Sequence, residues 1–282
     1  MLSALRLLRP GNLAVSFVGT IVGGLVARGT GVSAPAEFWI WVVLAAASTA
    51  CVTAGGNALN DLLDLEGDRT NHPDRPLVTG EVSIGAAQTL TVVLFVAAGV
   101  VVIPVILAVP IVGLILAVAV GSLLLYEFRF KAEGFAGNLT VAVLTGLVFL
   151  YGGAVGGHIE FVAAFALMAF LATLSREVIK DMEDVAGDVG RRTLPKTRGM
   201  GTATGTARGS VVVAIAASAI PVLTFVSWAS LAGIMYLVLV AAADAIFVVS
   251  IRFLPARLHY EQTMSKVAMT VALFAFLAVA FR

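Results

Sequence analysis

The stretch Asn57-Ala58-Leu59-Asn60-Asp61-Leu62-Leu63-Asp64-Leu65-Glu66-Gly67-Asp68 closes a long apolar run, and the rest of the chain is read outward from it. At 100° per residue, Asn57, Asn60, Asp61, Asp64 and Asp68 fall within about 100° of one another around a helix. The pattern predicts a stripe of carboxylates and amides at a helix end. Like charges at helical-neighbour spacing repel, so a shared cation is the natural reason for gathering them. Glu66 faces elsewhere and is expected to be solvated.

The same device returns at Lys180-Asp181-Met182-Glu183-Asp184-Val185-Ala186-Gly187-Asp188. Asp61, Asp64, Gly67 and Asp68 map onto Asp181, Asp184, Gly187 and Asp188 at one offset of 120 (181 − 61, 184 − 64, 187 − 67, 188 − 68). Recurrence at a fixed offset predicts an internal parallel repeat of four helices within a single domain spanning 1–282. The match is confined to the motifs. Asn60 has Lys180 as its counterpart, so the halves differ in chemistry. Glu183, like Glu66, is expected to face solvent.

The 282 residues are 60% hydrophobic and only 12% charged. Soluble domains carry roughly 25% charged residues. Several uncharged runs are long enough to cross a bilayer. The fold class is therefore all-α, a polytopic membrane protein. Nine transmembrane spans are expected, near 11–28, 36–60, 84–103, 105–125, 134–155, 159–178, 207–227, 230–251 and 264–281. The basic, then apolar, opening is expected to be the first span rather than a cleaved signal, because further spans follow. A single cysteine, Cys51, excludes an internal disulfide, and three scattered histidines give no zinc-like cluster. Small residues such as Gly19, Gly23 and Gly24 point to close helix packing.

With nine spans, sixteen of the eighteen Lys and Arg fall on the side of the N-terminus and the even-to-odd loops, and only Arg28 and Arg282 on the other. Positive residues mark the cytoplasmic side. The expected setting is the cell membrane, with the N-terminus and both acidic motifs cytoplasmic and the C-terminus outside. The motifs end the second and sixth spans, so an even number of helices separates them and both emerge on one face. Each leads into a basic, Pro-containing loop, Arg69–Pro76 and Gly190–Gly199.

Carboxylates without His or Cys suit a hard, oxygen-loving cation, and Mg²⁺ fits best. The expected metal ligands are Asp61, Asp64, Asp68, Asp181, Asp184 and Asp188. Asp64, Asp68, Asp184 and Asp188 are the principal catalytic candidates. Mg²⁺ prefers to bridge one or two carboxylates to substrate phosphates. Asn60, Arg75 and Lys180 are placed to contact a diphosphate. The apolar bundle beneath would take a hydrocarbon tail. The implied chemistry is ionisation of an isoprenoid diphosphate, with water kept away from the allylic cation. Asp244, inside the eighth span, reads equally as a functional acid or a hydrogen-bonded structural one.

Asn60-x-x-x-Asp64-x-x-x-Asp68 and Asp184-x-x-x-Asp188 resemble the paired motifs of the UbiA superfamily of intramembrane prenyltransferases. Arg9-Pro10 resembles that family's opening, and Tyr126 through Lys131 its Tyr/Lys segment after the fourth span. The resemblance implies a nine-helix bundle, Mg²⁺, and a prenyl diphosphate held between the motifs, with Arg9, Tyr126 and Lys131 joining the substrate-binding set. Gly56-Asn57-Ala58-Leu59-Asn60-Asp61, Asn71-His72-Pro73-Asp74-Arg75-Pro76, Gly137-Asn138 with Gly152-Gly153, and Ser175 through Asp188 are similar to archaeal members acting on ether lipids. That similarity implies geranylgeranyl transfer from its diphosphate to the free hydroxyl of geranylgeranylglyceryl phosphate. Arg176, Lys180, Arg191 and Arg192 would suit an acceptor bearing its own phosphate.

Two rivals stand beside this expectation. One is the same chemistry on an aromatic acceptor, as in quinone or haem synthesis. The other is a repeat-built transporter, whose carboxylates belong near the membrane midplane on broken helices. A CDP-alcohol phosphotransferase is disfavoured because its Asp-Gly-x-x-Ala-Arg signature is absent. The expected partners are a prenyl diphosphate, a lipid-phosphate acceptor and the bilayer. No nucleic acid or protein partner is inferred.

Overall fold

The computed structural model describes residues 2–29, 34–186 and 191–282. Asp188, with Gly187 and Gly190, lies outside the described residues. Helices account for all the regular structure among the described residues. In chain order they are α1 (Leu2–Leu8), α2 (Pro10–Arg28), α3 (Ala36–Leu63), α4 (Leu65–Asn71), α5 (Ile84–Ala108), α6 (Pro110–Phe128) and α7 (Phe135–Gly156). They continue as α8 (Ala163–Glu183), α9 (Leu194–Arg198), α10 (Met200–Ala217), α11 (Ile220–Thr224), α12 (Leu231–Ile251) and α13 (Leu258–Val279).

Among the described residues, eight helical segments are long and apolar enough to cross a membrane, with α10 and α11 counting as one. The expected sixth span falls on α8, which has 21 residues but carries Arg176, Glu177, Lys180 and Asp181 in its second half. These charges exclude it by composition, not by length. The boundary between the third and fourth spans also moves. Pro104 sits inside α5, and the break comes at Val109, where Pro110 opens α6. A proline is unfavourable within a helix but well placed in a first turn. Leu107, Val92, Val96, Val100 and Leu114 on α5 and α6 are exposed, as a lipid-facing surface requires.

The helices that carry the site are locked by close packing. On α7, a Cβ at Gly152 would lie 1.9 Å from Thr20 O of α2, and one at Gly23 would lie 2.3 Å from Phe149 O. Small residues let the two backbones approach, which replaces the hydrophobic drive that lipid does not supply. Phe165 of α8 stacks edge-on against Tyr236 of α12 and packs on Phe276 of α13, tying the second half together. Arg208 of α10 donates to Ile251 O and Leu254 O, satisfying carbonyls at the end of α12. Asp244 accepts from Ser218 Oγ at 2.9 Å, a link between α12 and the end of α10 that supports the structural reading of this acid. Arg28 and Arg282 share one end of the bundle, where Arg282 donates to Val26 O and lies over the rings of Phe161 and Phe225.

Candidate active site

Both motifs sit where a long helix stops. Asp64 caps α3 with φ −88° and ψ 0°, and Asp184 caps α8 with φ −86° and ψ 2°. In each case the cap N–H donates four residues back, to Asn60 O and Lys180 O. The carboxylates thus lie at helix ends, not at mid-helix breaks, which counts against the transporter reading. The expected continuous stripe is corrected here. The chain turns at Asp64, so Asp68 belongs to α4 and folds back beside Asp61. Asn57 keeps its place on the face of α3 but its amide is used structurally, donating to Leu8 O at 2.8 Å and holding α1 against α3.

Arg75 is the centre of the first cluster. Its Nη1 is 3.2 Å from Asp61 Oδ1 and also holds Asp68 Oδ2. Arg9 Nη2 reaches the same Asp61 oxygen at 2.5 Å and lies 3.4 Å from Asn60 Oδ1. Asp61 and Asp68 are both buried, at 3% and 5% exposure. Two guanidinium groups against two buried carboxylates balance the charge that burial would otherwise forbid. Arg9 has φ +54°, the sole positive value outside glycine among the described residues. Such a backbone costs on the order of 1–3 kcal/mol in a non-glycine residue and persists where surrounding contacts hold it. The bonds to Asp61 and Asn60 are those contacts. Arg6, one turn earlier, ties the loop after α4 to α1 through Asp74 and Glu81. A hydrogen bond from Ser3, helped by Arg6, holds the Glu81 carboxyl below its usual pKa.

A second chain of bonds crosses to the loop after α6. Lys131 Nζ is 2.6 Å from Asp64 Oδ2 and 3.1 Å from Glu127 Oε2. Asn60 Nδ2 donates to Glu127 Oε1 at 3.0 Å. Glu127 escaped sequence reading, because an acid four residues before a lysine reads as an ordinary helix pair. Only its burial, with 4% of the side chain exposed, reveals its place in the site.

The second motif approaches from α8. Asp181 Oδ2 accepts from Asn138 Nδ2 of α7 at 2.8 Å, with both groups buried. Arg176 Nη2 is 2.7 Å from Glu177 Oε1, and Lys180 Nζ is 3.8 Å from Glu177 Oε2. Tyr126, Lys131, Asn138, Glu177, Lys180 and Asp181 line one small polar pocket. Lys131 lines this pocket while holding Asp64, so the two motifs meet across the 129–134 loop. Asp184 is exposed at the end of α8 and has interactions of its own. Glu66 is solvated and pairs with Arg69 at 3.7 Å. Glu183 is exposed, as expected, and its carboxylate also meets His259 at 3.2 Å and accepts from Gln262 Nε2 at 2.5 Å, which joins α8 to α13.

An all-helical bundle with two acidic helix ends meeting over a basic loop is a polytopic membrane protein with a charged site at one end of its helices. Residues 16–274 match the UbiA prenyltransferase family, and the chain belongs to that family. It is 37% identical over 285 residues to a digeranylgeranylglyceryl phosphate synthase from Methanopyrus kandleri, covering 99% of both chains. A relative of the same name from Natronomonas pharaonis is 39% identical over 241 residues, covering 84% of this chain and 82% of the other. Among solved structures, one described as digeranylgeranylglyceryl phosphate synthase in membranes superposes with a TM-score of 0.78 at 29% identity, covering 99% of this chain and 98% of that one. A UbiA homologue from Archaeoglobus fulgidus bound to GPP and Mg²⁺ has a TM-score of 0.67 at 20% identity and covers 99% of each chain, a likeness of fold.

Proposed function

We propose that this chain moves a geranylgeranyl group from geranylgeranyl diphosphate to the free hydroxyl of geranylgeranylglyceryl phosphate, the transfer that its relatives' name states. The observation that carries the reading is the meeting of the two Asp motifs on the Lys131 loop, in a chain related over nearly its whole length to such synthases.

The donor set fits Mg²⁺. Asp61, Asp64, Asp68, Asp181 and Asp184 offer only oxygen, with Asn60 and Asn138 beside them. Among the described residues no three His, Cys, Asp or Glu are close enough to cage a metal by themselves. That suits an ion that binds through one or two carboxylates and completes its shell with water and substrate phosphates. When bound there, Mg²⁺ would supply positive charge to the diphosphate oxygens.

The chain's own residues do the rest. Arg75 and Arg9 beside the first motif, and Lys131 and Lys180 on the pocket beside the second, offer donors to phosphate oxygens, Arg as a fork and Lys as a point charge. Asn60 and Asn138 orient Glu127 and Asp181. The C1–O bond breaks with its electron pair leaving on diphosphate, the acceptor oxygen forms the new C–O bond, and its proton departs. The apolar bundle below and the loops above keep water from the allylic cation. The arrangement of basic residues supports a cytoplasmic site in the cell membrane, with the C-terminus outside. The matched caps at Asp64 and Asp184 support an internal parallel repeat of offset 120.

The test is purified protein with labelled geranylgeranyl diphosphate, offered the glycerophosphate lipid or an aromatic acceptor. Product with the lipid supports the reading. Product with the aromatic alone overturns it.

A further inference from the structure

The segment from Arg191 to Thr193 divides two spaces. Arg191 and Thr193 line the inner pocket with Asp181 and Lys131. Arg192 and Leu194 line a separate cleft of about 620 Å³ between the start of α7 and α9–α10. Thr193 is extended, with φ −64° and ψ 158°, and in extended backbone successive side chains point to opposite sides. One run of backbone is therefore the wall between the two spaces. The wall is pinned: Arg192 N–H donates to Ala132 O at 3.1 Å. Gly134, at φ +60°, packs so tightly against it that a Cβ would lie 2.0 Å from Arg192 O. Ala132 adjoins Lys131, which holds Asp64, so the wall and the first motif meet on one loop.

The cations of the outer cleft are uncommitted. Arg9, Arg75, Lys131 and Arg176 are all held by acids. Arg192 and Arg198 line the cleft with no carboxylate within ion-pair distance among the described residues, and the lining's single acid, Glu133, is 3.9 Å from Arg129. The hydroxyls of Thr197, Thr202 and Thr206 all donate to backbone carbonyls, so the two guanidinium groups are the side-chain donors that the cleft offers. Beyond the cations the surface turns apolar. Phe135, Leu139 and Val143 recur at i, i+4 and i+8 along α7, and all three are exposed. On α10, Thr206, Gly209 and Val213 follow Thr202 on one face, and a Cβ at Gly209 would meet nothing within 4 Å. Both helices pack on α8, and both are long and apolar enough to cross a membrane. A hydrocarbon chain that starts at the two arginines has an open track along them into the bilayer.

We infer that the outer cleft is a site for an anionic phospholipid of the surrounding bilayer, with Arg192 and Arg198 on its phosphate and a tail along Phe135, Leu139 and Val143. Guanidinium groups match phosphate with a fork of donors, and basic residues at a membrane surface favour anionic lipid. This lipid is a ligand and not a substrate, because the wall keeps anything held in the cleft away from the inner pocket where transfer takes place. One phosphate shared by Arg192 and Arg198 ties the wall to the α9–α10 turn. Through the bond to Ala132 it steadies the loop that presents Lys131, so occupancy raises turnover. The docking is independent of the transfer proposed above, and only the effect on turnover rests on it.

The experiment places wild type, R192A/R198A and R192K/R198K in nanodiscs of phosphatidylcholine with increasing fractions of phosphatidic acid. Phosphatidic acid carries the phosphate but no free hydroxyl, so it cannot serve as acceptor. Spin-labelled phosphatidic acid reports the lipid immobilised on the protein, and product formation reports turnover. In wild type both should rise together and saturate. The preference for phosphatidic acid over phosphatidylcholine should fall about fivefold for each arginine removed, and the lysine pair, with its charge but not the fork, should lie between. Melting temperatures in phosphatidylcholine alone check the fold, and the lysine pair alone decides if the alanine pair melts low. An intact variant that immobilises phosphatidic acid as wild type does overturns the site, since the lipid then answers to the general charge of that membrane face. Wild-type turnover indifferent to phosphatidic acid overturns the bracing role. A rise in acceptor KM with phosphatidic acid means that the two compete, which also overturns the proposal. A wild type that makes no product in any lipid overturns the transfer reading, and the spin label still decides the site.

Discussion

Asp64 and Asp184 end their helices in the same way, with φ/ψ of −88°/0° and −86°/2° and with cap N–H groups donating to Asn60 O and Lys180 O. Two acids 120 positions apart (184 − 64) thus carry the same local geometry on different helices. A carboxylate at a helix C-terminus is electrostatically disfavoured. Its repetition marks a requirement other than stability.

Asp64→Ala and Asp184→Ala are each expected to lower turnover by at least about a hundredfold, since even outer-shell partners of a metal are worth 10–100-fold. Both variants should keep the wild-type melting temperature to within a few degrees. Product formation and thermal unfolding in detergent check this, and near-normal rates in both would remove these residues from the chemistry.

Lys131→Met leaves buried Glu127 and half-buried Asp64 without their shared cation. Removing one partner of a buried pair costs about 3–5 kcal/mol, and the partial exposure of Asp64 brings the expected loss down to roughly 2–3 kcal/mol. Adding Glu127→Gln should restore part of that stability and none of the activity. Denaturant titrations on the two variants measure the first outcome, and product assays the second.

Gly134→Ala drives a Cβ to 2.0 Å from Arg192 O in a conformation that L side chains rarely adopt. The Arg191–Thr193 wall should lift, at a cost of about 1–3 kcal/mol. Trypsin then cuts at Arg191 or Arg192 faster than in wild type, while cleavage elsewhere stays unchanged. An unchanged digestion pattern would show that the wall does not depend on this contact.

Chelation of divalent ions is expected to stop turnover, and Mg²⁺ to restore it. A ligand at 100 times its Kd stabilises a fold by about 2.7 kcal/mol. Mg²⁺ with a non-hydrolysable prenyl diphosphate should therefore raise the melting temperature, and either alone should raise it less, because the described carboxylates form no complete cage. Equal stabilisation by Mg²⁺ alone would contradict shared coordination.

Much of the site was readable in advance because acids, amides and prolines are rare in an apolar chain and each one stands out. Asp61 and Asp68 stood out from their spacing and Arg75 from its place before Pro76 in the loop after the motif, and in the structure the Arg75 guanidinium holds both acids. Glu127 and Asn138 were not singled out as site residues. A buried carboxylate and a buried amide carry no local signature, and only their bonds to Lys131, Asn60 and Asp181 reveal them. The stripe drawn through Asp68 failed because helical periodicity assumes an unbroken helix, while the chain turns at Asp64.

The sequence by itself determined a helical membrane chain, the approximate positions of its long helices, and two acidic clusters on one face. Apolar run length and charge placement are one-dimensional properties that the bilayer reads directly. Only the tertiary structure decided which cation holds which acid, that the 129–134 loop joins the two motifs, and that residues 191–193 part an inner pocket from an outer cleft. These are contacts between residues far apart in the chain, fixed by how closely the helices pack, and no local pattern encodes them.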